Sequence, residues 1–363
     1  MGVNCVDAAV LIFVLWIIIN CILYCIIKLL WWSMLYGLLE KRIKILNKLG
    51  GISRAATHKA EWGGILTDEA RSSIMADGLY IQLKEAEAIL IHKEKPHSPN
   101  GIRLLSYHKA AIAYYDKAYA DKVKGTFSFS FEDFRKLNGL LLAEEKLYPG
   151  MRRDNPVLSD GTNAPDFVDV PLVIDMYIDY IREKTENYRR GDLNIKDFLT
   201  FIANQICYFE SVCPMEEGNS RVGRILTNYI LIACGLPAVS IKGEEDDVRA
   251  YSVAVTEFKE QMGFTLNLPQ SYHNIPAKLH EITAGKMVDI FAELLSDSLD
   301  IYISAILVKE SGYVLKPLSD IKTGLSILNL RKLAERGDFI AVKKGREWYT
   351  HEDFDLRTDK LRI

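Results

Sequence analysis

A short run of charged and small residues, EGNSRVGR from Glu217 to Arg224, stands immediately before an apolar pattern with helical spacing. The N-terminus of a helix offers free backbone N–H groups and the positive end of the helix dipole, so it binds phosphate readily. Gly218 allows the backbone to approach an anion closely, and Arg221 and Arg224 lie on one helix face, where they can clamp successive phosphates. A carboxylate at Glu217 can hold Mg2+ that bridges those phosphates. The pattern predicts a phosphate-binding helix start, although a surface helix with solvated charges would use the same residue types.

The longer stretch CPMEEGNSRVGR, from Cys213 to Arg224, resembles the Fic-family motif H-x-F-x-(D/E)-G-N-G-R-x-x-R. Five positions match it: Glu217, Gly218, Asn219, Arg221 and Arg224. Upstream, PGMR at 149–152 resembles the family's P-G-x-x-R turn, and the segment after it stands where the family has the hairpin flap that docks the target. The likeness covers residues 60 to 240, and it implies a mainly helical Fic-type domain with a short β-hairpin flap.

The resemblance also implies a reaction. In Fic proteins the motif histidine takes a proton from a target hydroxyl, which attacks the α-phosphate of ATP and usually transfers AMP to a protein Ser, Thr or Tyr. Carried over to this chain, the resemblance implies Mg2+ at Glu217 and the terminal phosphate at Arg224. It implies that the other phosphates are held by Gly218, Asn219, Ser220 and Arg221. ATP and Mg2+ are thus the implied cofactors, with a nucleotide and a protein target as partners.

Cys213 stands where the family has its catalytic histidine. A general base typically contributes ~10²–10⁴-fold to the rate, and a thiol of pKa ~8.5 is only a few per cent thiolate at pH 7. No histidine occurs between His108 and His273, so no neighbour in sequence replaces it. Cys213 is interpreted as a packed inert thiol, with an unusual base and a nucleophile as open alternatives. Met215 for phenylalanine and Ser220 for glycine are milder departures.

A second segment, SIMADG from Ser73 to Gly78, resembles the family's inhibitory helix motif (S/T)-x-x-x-E-(G/N), with Asp77 in place of glutamate. In the family this carboxylate pairs with the second motif arginine, here Arg224, and obstructs the terminal phosphate. Because aspartate is one methylene shorter, the pair is expected to be longer or water-bridged. The alternative is an ordinary helix end with Gly78 as its cap.

The N-terminal segment Ala8–Ile27 contains 20 residues without a charge, about the number that crosses a bilayer as a helix. The flank after it carries Lys28, Lys41, Arg42, Lys44 and Lys48, a bias that predicts a single membrane crossing with the soluble domain facing the cytoplasm. Residues 29–49 are interpreted as an amphipathic helix lying on the membrane surface.

The rest of the chain reads as a mainly α domain followed by a small mixed module. Four prolines and the Asp160–Gly161 turn signal between 149 and 171 predict the flap hairpin. Residues 325–354 resemble a winged helix, with a two-stranded wing around Lys344–Gly345. The predicted division is 1–50 for the membrane anchor and juxtamembrane helix, 51–310 for the Fic-like domain and 311–363 for the winged-helix-like module.

Composition narrows the classes of function. The chain has 363 residues, 49% hydrophobic and 26% charged, which suits a folded protein of about two domains. A formal net charge of -3 gives no global attraction to nucleic acid. Six cysteines without a CxxC pair predict free thiols in a reducing compartment.

The sequence alone leaves three functions open. The first is a degenerate or weak protein AMP-transferase, and the second is a non-catalytic pseudo-Fic scaffold that binds a nucleotide or a partner. The third is a membrane-tethered DNA-binding regulator, against which the charge of residues 316–363 argues: 11 Lys plus Arg against 8 Asp plus Glu is a net of only +3. A homodimer is also open.

Overall fold

The computed structural model describes residues 34–54, 63–143, 150–155, 164–263, 282–310 and 312–351, with isolated positions 14, 16, 19, 20 and 279. These residues are predominantly helical, as the sequence predicts. The first helix, α1, covers 34–48. The others are α2 (Gly63–Ala76), α3 (Leu83–Leu90), α4 (Pro99–Lys124), α5 (Phe131–Leu142), α6 (Val170–Arg190), α7 (Ile195–Val212), α8 (Asn219–Ala233), α9 (Glu245–Met262), α10 (Gly285–Glu310) and α11 (Ile327–Glu335).

Local sequence signals set where the central helices begin and end. Ser98 caps α4 by accepting a hydrogen bond from the Gly101 amide, and Gly125 ends that helix in the left-handed conformation. Ser130 begins α5 with a capping box, in which Ser130 and Asp133 each accept a hydrogen bond from the other's backbone amide.

Helix α8 lies in the middle of the domain, and nearly all of its residues are buried. Gly223 lets it approach α7, because a Cβ on Gly223 would lie 3.1 Å from Phe209. A buried polar chain joins α6, α7 and α8: the Tyr177 hydroxyl donates to Gln205 at 2.6 Å, and Gln205 donates to Thr227 at 2.8 Å. Such satisfied buried bonds fix the register of the three helices around the motif.

The sequence analysis placed residues 29–49 on a membrane surface, but the apolar side chains of helix α1 pack against the domain instead. Its apolar side chains Leu35, Leu39 and Leu46 belong to the main hydrophobic core. The Arg42 guanidinium pairs with Asp300 of α10 at 2.5 Å, with both side chains almost fully buried. The apolar face of the helix is therefore covered by the domain.

The membrane prediction is also corrected. Among the described residues no helix is both long enough and apolar enough to cross a bilayer, and this finding contradicts the predicted single-pass location with the soluble domain facing the cytoplasm. The two longest helices, α4 and α10, carry charged residues along their length, whereas a spanning helix needs about 20 mostly apolar residues. Of the predicted segment Ala8–Ile27, only positions 14, 16, 19 and 20 are described.

The C-terminal module combines α11 with a three-stranded antiparallel sheet in the order β1-β3-β2. Its strands are β1 (Lys316–Pro317), β2 (Val342–Lys344) and β3 (Glu347–Thr350). The predicted wing is the β2–β3 hairpin, in which Lys344 pairs with Glu347 across a turn at Gly345. The winged-helix assignment itself stays a prediction. The flap hairpin predicted at Asp160–Gly161 lies outside the described residues.

Candidate functional site

The motif occupies the loop between α7 and α8 and the first turn of α8. Cys213 ends α7 in the left-handed conformation, with φ 49° and ψ 56°, and Gly218 adopts the same conformation at φ 79° immediately before α8. A left-handed backbone favours glycine, so the Gly of the motif is required by the turn itself. These two reversals fold the six-residue loop, Cys213 to Gly218, tightly against the start of α8.

Asn219 holds this loop together from inside. Its Oδ1 accepts the Met215 amide at 2.8 Å, and its Nδ2 donates to the Met215 carbonyl at 2.9 Å. The same Nδ2 lies 3.3 Å from the Cys213 Sγ, to which it donates. Asn219, which was predicted to contact phosphate, therefore fixes the shape of the loop that would surround the phosphate.

Asn138 of α5 supports the loop from outside, a role that sequence reasoning missed. Its Nδ2 donates to the Glu217 carbonyl at 2.8 Å, and its Oδ1 accepts the Gly150 amide at 3.0 Å. It thereby ties the motif to the predicted P-G-x-x-R turn. No local signal identifies Asn138, because its partners lie 79 and 12 residues away in sequence.

The segment predicted to form the P-G-x-x-R turn lies alongside the motif. Met151 forms an isolated antiparallel bridge with Met215, and the Arg152 amide donates to the Pro214 carbonyl at 3.0 Å. The buried Arg152 guanidinium donates from Nε to the Cys213 carbonyl at 3.0 Å. Thus the segment that resembles the base of the family's flap is anchored on the residue at the histidine position.

Arg221 and Arg224 are 6% and 5% exposed, which is unusual for arginine unless the charge is paired. Asp77, at the end of α2, provides the pairing. One of its carboxylate oxygens lies 2.5 Å from Nη2 of Arg224 and the other lies 3.3 Å from Nε of Arg221. The contact is direct, so the shorter aspartate side chain still reaches both arginines.

Ser73, one helical turn before Asp77, also binds Arg224. Its hydroxyl accepts from Nε of Arg224 at 2.6 Å and its carbonyl accepts from Nη2 at 2.9 Å. Gly78 follows α2 in the left-handed conformation at φ 79°, and its amide donates to the Met75 carbonyl. Ser73, Asp77 and Gly78 are therefore brought to the motif arginines, while Gly78 also acts as an ordinary helix cap.

Ser220 is engaged by Glu210, the last acidic residue of α7. The Ser220 hydroxyl donates to Glu210 Oε2 at 3.0 Å, and the Tyr251 hydroxyl of α9 donates to Oε1 at 2.7 Å. Burial raises the pKa of Glu210, although Arg224, Tyr251 and Ser220 act to lower it. Glu210 is a second buried carboxylate in the surroundings of Arg224, and no pattern in the sequence indicated it.

The Cys213 thiol is half-buried beside this cluster. Burial raises its pKa above the usual value, and this effect outweighs the positive charges of Arg152 and Lys259, which lower it. Glu210 and Glu217 raise the pKa further. The thiol form therefore dominates at neutral pH.

Glu217 is exposed at the helix start. Among the described residues no group of three or more His, Cys, Asp or Glu side chains is arranged to hold a metal ion. Mg2+ commonly binds through one or two carboxylates together with substrate phosphates. A single carboxylate at the mouth of a phosphate site fits that mode.

Comparison with known proteins identifies the fold. No protein-family model matches the chain, and no curated protein matches it in sequence. A Fic-domain-containing signaling protein from Bacteroides thetaiotaomicron matches with a TM-score of 0.59 at 15% identity, over 74% of this chain and 96% of that one. Fic-1 from C. elegans matches with a TM-score of 0.53 at 13% identity, over 78% of this chain and 76% of its own. The chain has the Fic fold, which confirms the predicted mainly α Fic-type domain.

Proposed function

We propose that this chain binds ATP with Mg2+ at the start of α8, in a site that Asp77 occludes, and that it transfers AMP only weakly to a protein hydroxyl. One observation carries the proposal. A carboxylate bridges Arg221 and Arg224, at 3.3 Å and 2.5 Å. Two buried guanidinium groups around one anion are the arrangement that recognises phosphate. Asp77 is thus a stand-in for the phosphate that the site is built to receive.

The remaining groups support the same ligand. The backbone amides at the start of α8 follow the left-handed Gly218, where the helix dipole favours an anion. Glu217 lies at the same end and is exposed, so it is available to a metal that arrives with the nucleotide. Mg2+ in this position would offset the charge of the phosphates and orient them.

Weak transfer follows from Cys213. Attack of a hydroxyl oxygen on the α-phosphorus releases pyrophosphate and leaves a proton that a base must accept. A thiol whose pKa is raised by burial is a poor acceptor. Losing ~10²–10⁴-fold in rate corresponds to about 3–5 kcal/mol of barrier.

A binding protein without catalysis is the second candidate, and Cys213 is the observation that favours it. Both candidates use the same phosphate site, so nucleotide binding does not separate them. They differ in whether restoring a histidine at position 213 produces AMP transfer. A homodimer and the identity of the protein target stay proposals that rest on the family resemblance.

Labelled ATP incubated with the protein and a lysate distinguishes these functions. The variants are Asp77→Ala, Asp77→Ala/Cys213→His and Asp77→Ala/Cys213→Asn. Histidine and asparagine both tolerate the left-handed backbone at position 213, but only histidine accepts a proton near neutral pH.

We expect label transfer to rise ~10²-fold or more in the histidine variant alone. If the histidine variant binds ATP yet transfers no label, the AMP-transferase proposal is wrong and the binding protein remains. If wild-type transfer is already strong and Cys213→Ala abolishes it, the cysteine is catalytic and the proposed weakness is wrong.

A further inference from the structure

Helix α2 meets α8 through three successive contacts at one-turn spacing. Glu69 and Ser73 lie on α2 and Asp77 directly follows it, and because the three are spaced four residues apart they share one face. Their partners lie on α8. Asn228 donates to Glu69 at 3.2 Å, and Arg224 donates to Ser73. Asp77 pairs with both Arg224 and Arg221. The resemblance to the inhibitory motif covers only Ser73 and Asp77. Glu69 lies one turn deeper and has no role in the proposed function.

Glu69 is 3% exposed and its two oxygens have different surroundings. Oε1 accepts from the Tyr107 hydroxyl at 2.5 Å and the Tyr115 hydroxyl at 2.9 Å, both on α4, as well as from Asn228. Oε2 is buried and has no hydrogen-bond partner in the described part of the chain.

The neighbouring space is small and shared with the second motif arginine. A cavity of about 10 Å³ adjoins Glu69, a volume that accommodates one water. It is lined by Glu69, Ser73, Arg224, Thr227 and Asn228, and by the apolar Val239, Ile241 and Phe291. Glu69, whose Oε2 has no hydrogen-bond partner in the described part of the chain, and Arg224 therefore border the same cavity.

The protonation state of Glu69 is finely balanced. Burial raises the pKa of Glu69 to about 7, against the hydrogen bonds from Tyr107, Tyr115 and Asn228 and the charge of Arg224, all of which lower it. The groups facing it are the two tyrosines from α4, Arg224 and Asn228 from α8, and the apolar Phe291 from α10. Both the charged and the neutral form are populated at neutral pH.

We propose that Glu69 couples anion binding at Arg224 to proton uptake: when a phosphate group replaces the Asp77 carboxylate on Arg224, the Glu69 side chains that are still ionised take up a proton from solvent. This inference rests on the proposed function, since it assigns a regulatory property to the same site. A terminal phosphate carries more negative charge than the carboxylate it displaces, and the cluster holds only two arginines. Neutralising Glu69 removes one buried negative charge from the surroundings of Arg224, and the new hydroxyl can donate a hydrogen bond to a water in the small cavity.

The coupling requires that α2 stays in place while Asp77 moves. Asp77 lies at the end of the helix and its side chain is 22% exposed, so it can swing into solvent. Glu69 lies two turns away in the core. If the whole helix left instead, Glu69 would reach water, where its pKa returns toward 4.5, and a proton would be released. The sign of the proton exchange therefore separates the two motions.

Calorimetric titration with Mg·ATP at pH 7, in two buffers of different ionisation heat, measures this exchange. The comparison is Asp77→Ala with Asp77→Ala/Glu69→Gln, because glutamine keeps the acceptor for both tyrosines and lacks the charge. Asp77→Ala/Glu245→Gln, which neutralises an exposed glutamate, is the matched control. Protons taken up by ATP or by Glu210 are common to all three variants and cancel.

We expect roughly half a proton more to be taken up by the variants that keep Glu69, since a group with pKa near 7 is half ionised at that pH. Tyr107→Phe removes a donor to the carboxylate, so it shifts the midpoint of uptake to higher pH. Equal proton exchange with and without Glu69, or proton release, would overturn the proposal.

Inorganic tripolyphosphate is the second probe. If it binds with Glu69-dependent uptake while Mg·ATP does not bind, the nucleotide proposal fails and the coupling stands. If neither probe binds any variant, Arg224 is not an anion site and both proposals fall.

Discussion

The Asp77 carboxylate and the Arg224 guanidinium are 2.5 Å apart although 147 residues separate them in sequence. This ion pair fixes the end of α2 on the first turn of α8, where the helix dipole and the motif arginines favour an anion. Any phosphate that binds there must first displace Asp77. In the structure, the protein's own carboxylate lies between the two motif arginines.

The backbone of Gly243 lies against the last turn of α2 and leaves no room for a side chain. A Cβ on Gly243 would lie 2.2 Å from the Met75 Cβ and 3.1 Å from the Ser72 carbonyl oxygen, so Gly243→Ala must push the last turn of α2 outward. We expect Mg·ATP affinity to rise several-fold and stability to fall by about 1–3 kcal/mol.

Gly285→Ala is the control, because nothing lies within 4 Å of its added Cβ. Titration calorimetry and urea denaturation measure both effects. Unchanged affinity in a destabilised Gly243→Ala would show that the last turn of α2 does not control access.

Arg42→Ala tests the buried pair that joins α1 to α10 and to the C-terminal module. Arg42 contacts Asp300 at 2.5 Å and the Gly337 carbonyl at 2.7 Å. Its removal leaves the Asp300 carboxylate buried, and burial already raises the pKa of Asp300. We expect a loss of about 3–5 kcal/mol in the free energy of unfolding.

Arg54→Ala, which breaks the exposed pair with Asp116, provides the comparison. We expect no measurable change in it, because exposed pairs contribute little. Similar effects of the two substitutions in urea denaturation would refute the structural role of Arg42.

Glu69 should make stability depend on pH. Its pKa is raised from 4.5 to about 7, so the folded protein keeps a proton that the unfolded chain has lost. The stabilisation is complete below pH 4.5 and disappears as the pH rises through 7. At 1.36 kcal/mol for each pKa unit, the loss amounts to about 3 kcal/mol.

Glu69→Gln is neutral throughout this range, so its profile should be flatter. The variant should be close to wild type at pH 5 and more stable than wild type at pH 8, as measured by urea denaturation. Parallel profiles for the two proteins would show that Glu69 does not titrate in the folded state.

The motif could be found from the sequence because its groups are contiguous. A glycine before a helix and arginines three residues apart predict a phosphate site without knowledge of the fold, and the family resemblance favours this prediction over a surface helix with solvated charges. Ser73 and Asp77 were found only through the family resemblance, since nothing local links them to Arg224.

Asn138, Glu210 and Glu69 escaped prediction for a physical reason. Each meets the motif or its helix through contacts set by how helices pack. On its own helix, Asn138 resembles an ordinary polar position, and Glu69 resembles a surface charge. The assignment of residues 29–49 to a membrane surface failed for another reason, because an apolar helix face has the same sequence pattern whether lipid or protein covers it. In α1 the apolar side chains of Leu35, Leu39 and Leu46 pack in the core of the domain.

The affinity for Mg·ATP tests the central claim that Asp77 holds the place of a phosphate on Arg221 and Arg224. Calorimetric titration of wild type, Asp77→Ala and Asp77→Ala/Arg224→Ala makes the comparison, with Asp192→Ala as a control for loss of an exposed aspartate. We expect Asp77→Ala to bind about tenfold more tightly or better, which corresponds to 1.4 kcal/mol, and the added Arg224→Ala to remove that gain. Equal affinities for wild type and Asp77→Ala, or tight binding that survives the loss of Arg224, would contradict the account.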